Sequence, residues 1–233
     1  MNGINRIMKL SLPPLRLTAF ATALVLALPL TLEPAPSQAG VFRDVLASVG
    51  LAKPSAPPPP PPGSGLPRQG FACCNLHFDK DWVNDGNYAK FPMIPAGTPI
   101  EVQSYGKNRA FVSVQGKPMK LGHDYGRDQE SLDQWVNKIV VGQDPRPRIT
   151  SYPRPVQEAI RAGKLVVGMT REQAIVAIGY PLTSENGPLE SSTWKMWRST
   201  HGEYDLNFGP DGRLTSVTGD DEAVSQMVYK PTP

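Results

Sequence analysis

Cysteine is nearly absent from this 233-residue chain: there are two, and they are neighbours, Cys73 and Cys74. With no third cysteine, they can pair only with each other or with another chain. Neither the C-x-x-C-H haem pattern nor the paired C-x-x-C spacing of a structural zinc site is available. No cysteine directly follows the N-terminal apolar run, so the acceptor for a lipid anchor is missing. Histidine is also scarce. His77, His123 and His201 are widely separated, and the chain has no G-x-S-x-G elbow, no H-E-x-x-H helix and no glycine-rich phosphate cradle. Net charge of one sign is lacking too. Residues 1–39 hold three of the 24 basic and one of the 21 acidic side chains, so the remainder is close to neutral. Duplex binding rests on neutralising many phosphates, and a near-neutral chain gives no electrostatic reason to expect nucleic acid.

Proline and glycine are abundant, at 26 and 21 residues, which favours loops and linkers over one continuous core. At this length one or two domains are expected. Residues 1–39 read as a cleavable signal peptide. Arg6, Lys9 and Arg16 precede an apolar run from Leu17 to Leu32, and Ser37 and Ala39 sit at −3 and −1 of a cut before Gly40. The run has 16 residues and contains Pro29, whereas a spanning helix needs about 20. Residues 40–53 follow as a short amphipathic segment with Phe42, Val45, Leu46 and Val49 on one stripe, docked on the protein's own body, frayed, or peripheral to a membrane. Residues 54–70 form a Pro-rich linker. Its six prolines, Pro57 to Pro62, reach roughly 19 Å as an extended polyproline II spacer.

Residues 71–150 read as a β module with a helix. Ile100, Val102 and Ser104 alternate with Glu101 and Gln103, a turn at Tyr105–Asn108 follows, and Ala110, Val112 and Val114 return. The stretch from Ile94 to Leu121 resembles an SH3-like barrel. Ser131 and Gln134 form a capping box for a helix bearing Leu132, Trp135, Val136 and Ile139. Pro145, Pro147, Pro153 and Pro155 mark a boundary, after which residues 151–218 read as two helices and three strands, with Thr170 and Gln173 as a second capping box. Strands are expected over Thr193–Ser199, Glu203–Phe208 and Arg213–Thr218, and residues 219–233 form a C-terminal tail. The fold class is α+β.

Gly168-Met169-Thr170-Arg171-Glu172-Gln173, Ile178-Gly179-Tyr180-Pro181, Trp194-Lys195-Met196-Trp197 and the apolar strand Tyr204–Phe208 carry a resemblance to the SmpA/OmlA/BamE family of outer-membrane assembly proteins. It covers about a quarter of the chain. It implies two helices packed on a three-stranded antiparallel sheet, an arrangement also seen in β-lactamase-inhibitor-like modules. The motifs are structural and speak to fold more than to function.

Cys73-Cys74-Asn75-Leu76-His77 is the one compact cluster of reactive residue types. In an oxidising compartment the leading reading is a vicinal disulfide between Cys73 and Cys74 or a pair of buried structural thiols. An intermolecular bridge and a thiol- or metal-dependent enzyme using Cys73, Cys74 and His77 are the alternatives. Trp194 and Trp197, three apart on a strand, face opposite sides of the sheet. With Trp194 and Met196 beneath the helices, Trp197 emerges on the outer face as a partner-binding residue or is covered by other parts of the chain. The expected function is non-enzymatic binding or scaffolding in the periplasm or at the periplasmic face of the outer membrane. An envelope protein or outer-membrane component is the expected partner, and no cofactor or metal is called for. A secreted enzyme inhibitor is a third reading, drawn from fold analogy.

Overall fold

Alternating apolar side chains over Ile100–Val102 and Ala110–Val114 build the central hairpin of a large curled sheet. In the computed structural model, which describes residues 65–66 and 68–230, this sheet has eight strands. Contacts divide the chain into residues 1–56 and 57–233, and all described residues belong to the second unit. The segments read as a signal peptide and an amphipathic stretch, and the proline run, lie outside the described residues.

The strands of the large sheet are β1 (Arg68–Ala72), β2 (Leu76–Asp79), β3 (Trp82–Asn84), β4 (Met93–Ile94), β5 (Pro99–Tyr105), β6 (Arg109–Val114), β7 (Lys117–Gly122) and β8 (Val140–Val141). Their spatial order is β4-β2-β3-β7-β6-β5-β1-β8. Most pairs are antiparallel, but β3 runs parallel to β7 with Val83 opposite Leu121. Strand β1 starts at Arg68 and pairs with β5, Arg68 lying opposite Val102, so the last residues of the apparent linker are sheet. Ile100, Val102, Val112 and Leu121 point inward and are buried. Helix α1 (Leu132–Ile139) closes this core with Trp135, Val136 and Ile139. Its capping box forms as the sequence predicts: Gln134 N–H donates to Ser131 Oγ, and Ser131 N–H donates to Gln134 Oε1 at 2.8 Å.

The proline-rich stretch follows β8. It contains a short helix α2 (Arg146–Thr150), then α3 (Arg154–Arg161) and α4 (Arg171–Ile178). Proline suits the first turn of α2 and α3, where its missing N–H has no helical partner to lose. Thr170 and Gln173 cap α4 as expected. Strands β9 (Thr193–Ser199), β10 (Gly202–Phe208) and β11 (Leu214–Gly219) form an antiparallel sheet, and Trp194, Met196, Tyr204, Leu206, Phe208 and Leu214 turn toward the helices. The segment read as a tail forms helix α5 (Asp221–Met227). Asp220 accepts the Ala223 N–H at 2.8 Å, and Ala223 and Met227 are buried. The acidic run Asp220-Asp221-Glu222 places one cap and two carboxylates at this helix start, where the helix dipole favours them. Among the described residues no helix is long and apolar enough to cross a membrane.

Candidate functional site

The chain leaves β1 through Cys73, Cys74 and Asn75, and this tripeptide stitches two layers together. Cys73 N–H donates to Ile139 O at 2.9 Å, at the end of α1. Asn75 N–H donates to Val176 O at 3.0 Å, in α4. The Asn75 amide group donates to Ile160 O (2.6 Å) and Ala177 O (2.9 Å), and its oxygen accepts the Ala96 N–H at 3.0 Å. Asn87 repeats the device. Its amide donates to Asn75 O and to Ile178 O, while its oxygen accepts the His77 N–H. Both asparagines are almost wholly buried, so each of these bonds replaces water that cannot enter.

Between the two stitches, the sulfurs of Cys73 and Cys74 are bonded to each other. Cys74 is fully buried, whereas Cys73 lines a cleft of about 570 Å³. Val141, Pro145, Tyr180, Leu189 and, from α4, Ile175 and Val176 add apolar surface to its lining. The lining also carries charges of both signs, most of them engaged. Arg148 pairs with Glu172, and Arg171 donates to Glu190 O and Ser191 O, both at 3.0 Å. Asp144 takes two bonds from Arg146 Nε at 2.8 and 3.0 Å, and hydrogen bonding from Arg146 holds its carboxyl below the usual range. Burial pushes the Tyr180 phenol up. The result is a lining that mixes apolar side chains with charges of both signs, which suits recognition. The cysteines carry no free thiol, and the Tyr180 phenol is the one hydroxyl in the lining.

His77 does not join Cys73 and Cys74 in this cleft. It sits in β2, is 5 % exposed, and its Nδ1 meets no hydrogen-bond partner among the described residues. Burial pushes its pKa below the ordinary 6.5, against a smaller opposing pull from Asn87. Trp197 lies on the outer face of β9, opposite Glu203, while Trp194 and Met196 face inward. It is half-buried and donates its ring N–H to Glu185 at 2.8 Å, so the 181–190 loop covers part of it.

A second polar centre, Asp85 with His123, was not apparent from the sequence. The Asp85 carboxylate accepts the main-chain N–H groups of Tyr125 (3.0 Å) and Gly126 (2.8 Å), and its Oδ2 lies 2.9 Å from His123 Nδ1 without the direction of a hydrogen bond. His123 Nε2 is 2.9 Å from Glu130 O. A carbonyl only accepts, so Nε2 carries a hydrogen. The imidazole stacks on Trp135 with centroids 5.3 Å apart and is 1 % exposed. With one nitrogen against a carbonyl and the other against a carboxylate, His123 acts as a pin. Together with Asp85 it holds the Gly122–Arg127 loop. The available signal was Asn84-Asp85-Gly86 in one loop and Gly122-His123-Asp124 in another, which nothing local connects.

Among the described residues no three His, Cys, Asp or Glu side chains come together as a metal-binding group. Comparison with protein-family models, with curated proteins and with solved structures finds no match for this chain.

Proposed function

We propose that this chain is a non-enzymatic binding or scaffold protein of the bacterial cell envelope, acting in the periplasm or at the periplasmic face of the outer membrane. The observation that carries the reading is the cleft over Cys73. Its lining is apolar around Cys73, α4 beside it is held by buried Asn75 and Asn87, and Arg148, Glu172 and Arg171 are engaged with one another or with main chain. Such a lining recognises a partner by shape and by apolar area. The leader at residues 1–39 supports export, and export supports a lasting disulfide. Trp197 adds a second aromatic contact on the outer sheet face.

The finer fold reading belongs to the same proposal: an SH3-like β module followed by a BamE-like ααβββ module, with a role connected to outer-membrane protein assembly or envelope integrity. The consecutive hairpins β5–β6–β7 support the first part, and the order α3-α4-β9-β10-β11 supports the second. Affinity capture from detergent-solubilised envelopes tests the binding role. Leu189→Glu places a charge in the lining of the cleft and leaves the Leu189 carbonyl free for the Trp194 ring N–H. The wild-type chain is expected to retain a discrete partner that Leu189→Glu loses. An identical set of captured proteins from both would overturn the proposal.

A further inference from the structure

The short strand β4 is one edge of the large sheet, and its main chain is unfinished. It pairs with β2 in the register His77 opposite Met93, and the Phe78 N–H donates to Pro92 O at 3.0 Å. Antiparallel pairs alternate between bonded and non-bonded. Phe78–Pro92 and Leu76–Ile94 are therefore the bonded pairs, and Met93 turns its N–H and C=O away from β2. No partner for either group occurs among the described residues. The neighbouring residue obeys the same geometry, since the His77 N–H also points away from β4 and finds Asn87.

An apolar pit lies on each flank of this edge, and Met93 and Pro95 line both. One, of about 350 Å³, opens toward α3 over Ala96, Ile149 and Ile160. The other, of about 300 Å³, opens toward β6 and β7 over Phe78, Val114 and Met119. Successive side chains of an extended strand point to opposite faces, so a strand laid against Met93 would send neighbouring side chains one into each pit. The charge around the pits is of one sign. Arg146 and Arg161 line the first, Lys80 and Lys117 the second, and neither lining includes an acidic residue. Asp144 occupies Arg146, but Lys80, Lys117 and Arg161 form no ion pair among the described residues. Pro92 and Pro95 bracket the edge and stop a longer ladder, as prolines do on protected edges.

We propose that the β4 edge binds an extended segment of a partner protein, apolar at its centre and acidic on either side, by adding it as a strand at Met93. The free main-chain pair supplies direction, the pits supply grip, and the cations select the acidic flanks and hasten encounter. This inference rests on the binding role proposed above but not on the Cys73 cleft, which lies at a different place in the fold.

The test uses the purified chain lacking residues 1–39 and a fluorescein-labelled peptide with a central run of valines flanked by glutamates, followed by anisotropy. Saturable binding that weakens as salt rises is expected. Met93→Pro removes the outward N–H without removing an internal bond, and about tenfold weaker binding is expected from losing one hydrogen bond and its alignment. Arg161→Glu and Lys117→Glu each weaken binding several-fold and remain informative if Met93→Pro fails to fold. The same peptide carrying main-chain N-methyl groups is expected not to bind. Equal affinity for the methylated and parent peptides would overturn strand addition. Retention by phosphatidylglycerol vesicles with no peptide binding would overturn the proposal in favour of an anionic lipid. Either failure leaves the Leu189→Glu capture result untouched, so the two readings fall separately.

Discussion

Asn87 donates its side-chain amide to the main-chain carbonyl of Asn75 at 3.1 Å, and the same amide reaches Ile178 O at 2.8 Å. Asn75 in turn holds Ile160 O and Ala177 O. Two neutral amides thus satisfy the carbonyls at the ends of α3 and α4 from inside the β layer. A helix end buried without such partners would cost free energy, and aspartate could not serve because a carboxylate has no hydrogen to give.

Asn75→Ala therefore strands two carbonyls and the Ala96 N–H. A loss of about 2–4 kcal/mol is expected, measured by urea denaturation. Asn75→Asp should cost at least as much, because it sets a charge against two carbonyl oxygens.

Gly179 ends α4 at φ +87°, and a β-carbon there would collide with the Asn87 amide. Gly179→Ala should cost roughly 2–3 kcal/mol from strain and displaced hydrogen bonds together. Since it acts partly by displacing Asn87, its effect and that of Asn87→Ala should sum to more than the double variant loses. A double-mutant cycle in urea checks this.

How much of this was legible in sequence follows from how local each signal is. The capping boxes at Ser131 and Thr170 need three residues and were readable, as was the alternation in Thr193–Ser199 that buries Trp194 and turns Trp197 outward. Strands β2, β3 and β4 have four, three and two residues, too few to show a period. The parallel pairing of Trp82 with Lys120 joins segments nearly forty residues apart, and the Asp85–His123 centre depends on it. The Asn75 and Asn87 network was hidden for a similar reason. Asparagine in a loop reads as a turn residue until the carbonyls it serves, about a hundred residues away, are known. The cleft over Cys73 is assembled from the residue after β1, β8, the segment into α2, α4 and residues 180–190, so no single motif announces it.

Burial holds His77 neutral in the fold, while the unfolded chain takes up a proton near the ordinary 6.5. The unfolded state then binds more protons below that pH, so stability is full above it and declines as pH falls toward the lowered native value. The slope from this residue reaches about 1.4 kcal/mol per pH unit. His77→Phe should flatten that part of the curve between pH 6.5 and the folded pKa, and denaturation midpoints across the range check it.

The Cys73–Cys74 bond closes a minimal loop, so chain-entropy arguments assign it only about 1 kcal/mol. A Cys73→Ser, Cys74→Ser double variant should melt roughly 3 °C lower than the oxidised wild type. A reducing agent should move the wild type by the same amount and leave the variant unchanged. A much larger drop would mean that the bond carries the fold rather than shapes the cleft.

The central claim is that an exported chain presents the Cys73 cleft to an envelope partner, and in-cell photo-cross-linking reaches it most directly. A benzophenone amino acid replaces Leu189, in the cleft lining, or Val167, which is 60 % exposed and outside the cleft lining. Position 189 is predicted to give one discrete adduct on a processed chain in the envelope fraction, and position 167 none. No adduct from position 189, or an adduct only on a chain that keeps residues 1–39 in the cytosol, would contradict the account.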